Sequence, residues 1–516
     1  MGDHAWFRLE ERERKNFFWL LLIYGLYVFP LIIANSYYMD DIGRTLNGYA
    51  AWEFDGRPAA MLVIDLLNFQ WTFRDGIALT ADGIPHPVQD LAPYPLLLGV
   101  AVFAYVIVLL SRRYLRTKSL PILLGCQALC IMNPFMLENL AFHFDSITML
   151  FAVALTLLCF AFPDDFSLRK LFLWSLALSE LVLCLYQPML GTYITLTAVE
   201  ILICFYRAEA VRTVLRRSLV RLSGVFAAGM VYKFTVASFL VTNYGPEVRS
   251  FLSPFSPRSW ELLRQHIHMY HVLLRSYTDA LPWMVGGAML LIFLLFSWRW
   301  FRCCMRGGKD AVKKILIYVV GVFTVLFGSF LPMVALEAPA TNARTLIFLI
   351  GIPLSLGIMT CMLAERREMI AVLLAPLLMF GFYYVYAFGN VLKHQAEQDM
   401  MYARQISYDI SRLDYEGSHP GRTTDSPVIT VLGEAPSALE QSIAAKRQPL
   451  MANILRTSMR ENDRGWILIR HAFPFDFTPG RATDEVREEV SSHRPEISNA
   501  VYDIYVRDNH IIIKFH

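Results

Sequence analysis

Two adjacent carboxylates, Asp40-Asp41, follow the first apolar run and its Tyr37-Tyr38 pair. Carboxylates at a membrane surface are costly unless they are solvated, paired or used. One so placed can act as a general base, taking a proton from an attacking hydroxyl. The same pair also fits a helix N-cap, because Asp before Ile42-Gly43-Arg44-Thr45 can cap a short interfacial helix. A second segment, Asn133-Pro134 through Glu138-Asn139 to His143-Phe144-Asp145-Ser146, brings in further acids. Glu138 could orient a hydroxyl. Asp145 reads equally as a functional acid and as the cap of a helix opening at Ser146, and His143 fits a plain interfacial histidine as well as a ligand. Gln187, in Tyr186-Gln187-Pro188, can hydrogen-bond a hydroxyl-rich ligand, although Pro at a first helical position explains that turn without function. A last segment carries Glu337 and then Ala340-Thr341-Asn342-Ala343-Arg344-Thr345. A guanidinium at the mouth of a helix bundle can hold a phosphate through charge and fork geometry together. Arg344 could equally snorkel or pair with Glu337, and Lys233, inside an apolar run, is a second possible phosphate partner.

These residues must be positioned by a membrane body. At 55% hydrophobic the chain is only mildly richer in apolar residues than an average domain, so the arrangement decides. Apolar runs of about 20 residues, the length that crosses a bilayer, recur about eleven times up to residue 389. They fall near 17–36, 93–111, 119–133, 147–162, 169–186, 189–206, 219–240, 281–298, 315–331, 345–363 and 369–389. This predicts an all-α polytopic membrane domain over 1–392 and a soluble α/β domain over 393–516.

The connecting loops form two alternating sets. One carries Arg8, Arg12, Arg14, Lys15, then Arg112, Arg113, Arg116, then Arg169, Lys170, and later Arg212, Arg216, Arg217, Arg221 and Arg299. Lys and Arg in excess mark the cytoplasmic side, so the N-terminus is expected inside and the tail outside. Asp40-Asp41, Glu138, Gln187 and Arg344 then share the outer face. The stretches 44–70 and 257–277 interleave aromatic and charged residues, as interfacial helices do. In the tail, Val428–Leu432 and Trp466–Ile469 read as strands and Ser437–Lys446 as helix. The runs 501–506 and 511–515 flank Asp508-Asn509 as a hairpin. The eight cysteines include none in the tail, so no disulfide frame is expected there. A net charge of +3 gives no reason to expect nucleic acid as a partner. No dense Asp-x-Asp cluster calls for a metal, although Asp40-Asp41 could hold one.

The ordered set Tyr38-Met39-Asp40-Asp41-Ile42-Gly43-Arg44, Trp52 with Gly56-Arg57-Pro58, Asn133-Pro134 to Asp145-Ser146, Leu185-Tyr186-Gln187-Pro188 and Arg344-Thr345 resembles the serotype-converting glucosyltransferases of phages and enterobacteria. The resemblance spans roughly residues 17–390. It implies the GT-C fold in the bacterial inner membrane and a site in the first outer loop that includes Asp40, Asp41 and Arg44. It further implies inverting transfer from undecaprenyl-phosphate-glucose to a lipopolysaccharide O-antigen sugar on the periplasmic face; no cofactor is expected from the residues. A small flippase and a donor-synthesising enzyme are the implied partners. Three other readings stay open: a related transferase of another lipid-linked sugar, a lipid-sugar flippase without chemistry, and an assembly protein whose tail binds partners.

Overall fold

A computed structural model describes residues 6–47, 50–69, 88–207, 210–242, 244–245, 250–305, 311–413, 426–472 and 477–516. The part of the first loop at 70–87, expected to continue toward the second span, lies outside the described residues. The described residues are 71% helical, with a small sheet near the C-terminus. It forms two compact units, one made of Met1–Ile32, Ala51–Ile77 and Leu91–Tyr386, the other of Ile33–Ala50, Ala78–Asp90 and Ala387–His516.

The first unit is a bundle. Eight helices among the described residues are long and apolar enough to cross a membrane, from Glu11–Ala34 to Arg367–Ser411. This is the architecture of a helical membrane protein. The predicted span at 119–133 is helical only over Leu120–Ala128, because Asn133 starts a new turn by accepting the Phe135 amide at 3.2 Å. The runs near Phe151 and Trp174 are helices at Asp145–Ala161 and Leu168–Leu185. The first falls short of a full crossing, and the second carries Arg169, Lys170 and Glu180.

Without a hydrophobic drive between helices in lipid, close approach at small residues carries much of the packing. Val211–Phe234 lies along Leu168–Leu185, where a Cβ on Gly224 would sit 2.9 Å from the Phe172 carbonyl. At Gly191 the added carbon would overlap the Ser329 carbonyl at 1.9 Å. Several of the arginines that mark one loop set turn inward. Glu200, 0% exposed, is clasped by Arg221 and by Arg113 at 2.8 Å, and the Arg221 Nε donates to the Cys159 carbonyl at 3.0 Å. A buried carboxylate in an apolar bundle is tolerated only with such partners.

The second unit holds a five-stranded sheet, β1 (Val428–Leu432), β2 (Thr478–Pro479), β3 (Ile497–Ser498), β4 (Tyr502–Arg507) and β5 (His510–Phe515), in the order β2-β1-β5-β4-β3. β1 is parallel to β2 and β5, and β4 is antiparallel to β5 and β3. The hairpin turns at Asp508-Asn509, with Asp508 in the left-handed region at φ 49°, where Asp and Asn are the best-tolerated side chains. Trp466–Ile469 is not a strand. It lies in the helix Gly465–Ala472, which buries Ile467, Leu468 and Ile469 against the sheet. A four-residue apolar run fits either state. Here packing decides, since the helix sets Ile467, Leu468 and Ile469 into the core with the sheet, and the Ile467 amide bonds the Arg464 carbonyl at 2.9 Å.

The polar end of Arg367–Ser411, past its apolar stretch, covers this sheet with Tyr402, Ala403, Ile406 and Ile410. Asp399 on it is buried and accepts from Thr457 Oγ1 at 2.6 Å, the Ser458 amide at 2.7 Å and Gln395 Nε2 at 2.8 Å. Burial pushes its carboxyl up to about 6 from 3.8, against the three donors. A folded pKa above the unfolded one means folding favours the proton. That stability is full below the unfolded value and is lost as pH rises through about 6. Unfolding of the second unit in the full chain should therefore occur a few degrees higher at pH 5 than at pH 7. Asp399→Asn should flatten the difference, as read by thermal scans at both pH values.

Candidate active site

In the first unit, four segments converge on one acidic centre. Asp145 is 1% exposed and opens the helix Asp145–Ala161. Its Oδ1 accepts from Trp52 Nε1 at 2.8 Å and from Arg57 Nη1 at 3.0 Å. Arg57 also reaches Asp55 Oδ2 at 3.1 Å, and its side chain is only 13% exposed. Burial alone would lower the guanidinium pKa, but the charges of Asp145 and Asp55 hold it above its ordinary value, while nearby Arg344 opposes them.

The turn that delivers Trp52 and Arg57 is fixed from behind. Glu53–Asp55 is a single 3₁₀ turn closed by Gly56 at φ 75°, where a side chain is strained. The Gly56 carbonyl accepts Gln187 Nε2 at 3.0 Å and the Tyr232 hydroxyl at 2.9 Å. Gln187 also donates to that hydroxyl at 2.8 Å. A Cβ on Gly56 would fall 2.4 Å from the same oxygen. Gln187 therefore holds backbone here.

Arg344 is the second residue of the eight-residue 3₁₀ stretch Ala343–Ile350, which packs on the turns at Pro134–Met136 and Gln187–Met189. Its guanidinium lies 5.5 Å from the Phe142 ring centre, and its carbonyl accepts the Tyr186 hydroxyl at 3.2 Å. Arg344 is half-buried. Glu138 and His143 are buried on the segment between Pro134 and Asp145. Glu337 is exposed, its amide bonded to the Ser250 carbonyl at 2.9 Å. Lys233 is exposed near the end of its helix, 5.9 Å from the Phe251 ring centre. Of the residues singled out from sequence, the first unit thus groups Asp145, Gln187 and Arg344, together with Glu138 and His143. Trp52 and Arg57, quoted above only for a resemblance, belong to this site. Among the described residues no group of three or more His, Cys, Asp or Glu could hold a metal ion.

In the second unit, Asp40 and Asp41 open the helix Asp40–Asn47. Asp40 is ion-paired with Arg464, and its side chain stays 21% exposed. Asp41 is fully buried; its amide donates to the Tyr38 carbonyl at 3.0 Å and its Oδ2 accepts the Tyr38 amide at 3.3 Å. The Tyr38 hydroxyl donates to the Ile454 carbonyl, and Ile42 joins the core beneath the sheet. Arg44 is buried, with Nη1 3.3 Å from the Ala50 carbonyl. The first-loop acids are therefore seated on the tail.

The sequence matches the family described as Glucosyl transferase GtrII over residues 29–352. The chain belongs to the GtrII glucosyl transferase family. The matched region holds Asp40, Asp41, Trp52, Arg57, Asp145 and Arg344. The chain is also 22% identical, over 495 residues, to a Salmonella phage P22 protein described as an uncharacterized 55.3 kDa protein in the gtrB 5′ region. That similarity covers 95% of this chain and 96% of the phage protein, so it runs on beyond the GtrII region into the tail. No solved structure matches.

Proposed function

We propose that this GtrII-family chain is an inverting transferase of the GT-C type. It moves glucose from undecaprenyl-phosphate-glucose to an O-antigen sugar on the periplasmic face of the inner membrane. The N-terminus is cytoplasmic and the tail periplasmic, in line with the Lys/Arg bias of the loops. The observation that carries the reading is Arg57 fixed on Asp145 and Asp55 beside Arg344, in a unit built of long apolar helices. A lipid phosphate needs cationic forks for its head and apolar walls for its chain.

The reaction is a single displacement at the anomeric carbon. A carboxylate of the Asp40-Asp41 pair accepts the proton of the attacking hydroxyl. Negative charge grows on the departing lipid phosphate, where Arg344 stabilises it. Arg57, held by two carboxylates, orients that phosphate rather than neutralising it alone. In this reading Glu138 and His143 bond sugar hydroxyls. No metal or cofactor is invoked, and the flippase and the donor-synthesising enzyme are separate proteins.

Arg344→Ala tests the reading with purified lipid donor and lipid-free polysaccharide acceptor. Loss of one charge-assisted contact to a buried phosphate is worth about 2–5 kcal/mol, so kcat/KM for the donor should fall at least about thirtyfold. KM for the acceptor should stay near that of the wild type. Unchanged use of the donor would show that Arg344 does not meet the phosphate.

A further inference from the structure

The second unit carries a polar cleft that this chemistry does not use. It encloses ≈ 300 Å³ and is lined by Glu434, Ser437, Gln441, Ser442, Arg456 and Arg460. Ala445 and Ala452, from the helices Leu439–Arg447 and Pro449–Ile454, complete its wall and leave the space open. Glu434 and Arg460 face one another as an isolated antiparallel bridge pair. The Ala435 amide bonds the Met459 carbonyl at 2.8 Å and the Glu461 amide bonds the Gly433 carbonyl at 2.8 Å, so backbone fixes both ends.

Gln441 gives the second sign of a ligand. The residue is only 7% exposed, and Nε2 donates to the Leu455 carbonyl. Its Oε1 has no hydrogen-bond partner among the described residues. A buried acceptor takes a donor from outside when the chain supplies none, and this one lies on the cleft wall. Arg456, exposed at the rim, has no ion-pair partner among the described residues.

The mixture of groups selects the ligand. A phosphate or a polyanion calls for donors alone, whereas Glu434 and Gln441 Oε1 are acceptors. The Arg456 guanidinium donates, Arg460 does so beside its ion pair with Asp463, and two serine hydroxyls do either. Donors and acceptors alternating over so short a span suit vicinal hydroxyls, each of which gives one hydrogen bond and takes another. The volume is at the small end of ligand sites, roughly 300–1,000 Å³, and fits a short saccharide stretch.

We propose that this cleft binds a saccharide segment of the acceptor glycan, so that the tail holds the polymer while one of its sugars is modified. Naming the ligand as the acceptor rests on the transferase reading; the saccharide class rests on the cleft. The test uses the full chain in nanodiscs without donor, titrated with lipid-free O-polysaccharide released from smooth lipopolysaccharide by mild acid. The wild type should bind. Arg456→Ala, which removes a charged donor, and Ser442→Trp, which fills the cleft from an exposed position, should each weaken binding about tenfold or more. Their melting temperatures should match the wild type, and KM for the lipid donor should not move.

Equal polysaccharide affinity in the wild type and both variants would overturn the proposal. So would inorganic polyphosphate competing as well as polysaccharide, which would make the cleft an anion site. A wild-type protein that binds polysaccharide but transfers no sugar from any lipid donor would remove the transferase reading and leave the cleft standing. Transfer with unaltered binding in both variants would do the reverse.

Discussion

Asp40→Asn is expected to lower kcat for sugar transfer by about 10²–10⁴-fold, the usual contribution of a general base, with KM for the lipid donor little changed. The choice between the neighbours follows from their surroundings. Asp41 is fully buried and bonded to the Tyr38 amide, so its carboxylate serves the turn. Asp40 keeps an exposed edge while Arg464 fixes its position. Asp41→Asn should act mainly through stability, with a lowered melting temperature accompanying any loss of rate. A rate assay alone would blur the two, so each variant needs a thermal scan and a pH–rate profile. An acidic limb in the wild-type profile that vanishes in Asp40→Asn would identify the titrating base. Wild-type kcat in Asp40→Asn would remove Asp40 from the chemistry.

Asp145→Ala should destabilise the first unit by about 3–5 kcal/mol, because it leaves a buried guanidinium short of its carboxylate. The Trp52 indole N–H loses its acceptor at the same time. Activity should disappear together with stability, which alone would not separate a structural role from a functional one. The triple variant Asp145→Ala, Arg57→Met and Asp55→Ala does, because Asp55 would otherwise lose its own partner in Arg57. Replacing a buried ion pair by apolar groups is often close to neutral, so most of the lost stability should return. Donor use should not, because the second cation beside Arg344 is gone. Recovery of both would reduce the Arg57–Asp145 pair to a packing device.

Much of the fold could be read from local pattern. β1 is a β-branched run ending at Gly433, and the β4–β5 hairpin is announced by Asp508-Asn509 between apolar strands. Trp466–Ile469 misled because four apolar residues have no period, and the state is decided by packing into the core with the sheet. The helical segments of the bundle were legible from their apolar length. Their limits were less so, since Asn133 ends one early by capping the next turn.

The site divided in the same way. Asp145 could be singled out by type and position, but its partners stand 88 and 93 residues away in sequence, beyond any local signal. Arg57 looked like one more loop arginine, and Arg464, 424 residues from Asp40, carried no mark at all. A clue did exist in Gly56-Arg57-Pro58, where a glycine and a proline hold one arginine between a turn and a helix start. The Gln187 amide, which by type suits a hydroxyl-rich ligand, holds the Gly56 carbonyl.

None of the eight cysteines is paired, and Cys303 is the exposed one, at the basic end of Trp283–Met305. The other seven thiols are shut inside the folded chain. The native sequence thereby carries a built-in single-site handle. A membrane-impermeant maleimide added to sealed vesicles has one address to find, and the side from which it reaches that address reports the insertion of the whole protein without any engineered residue.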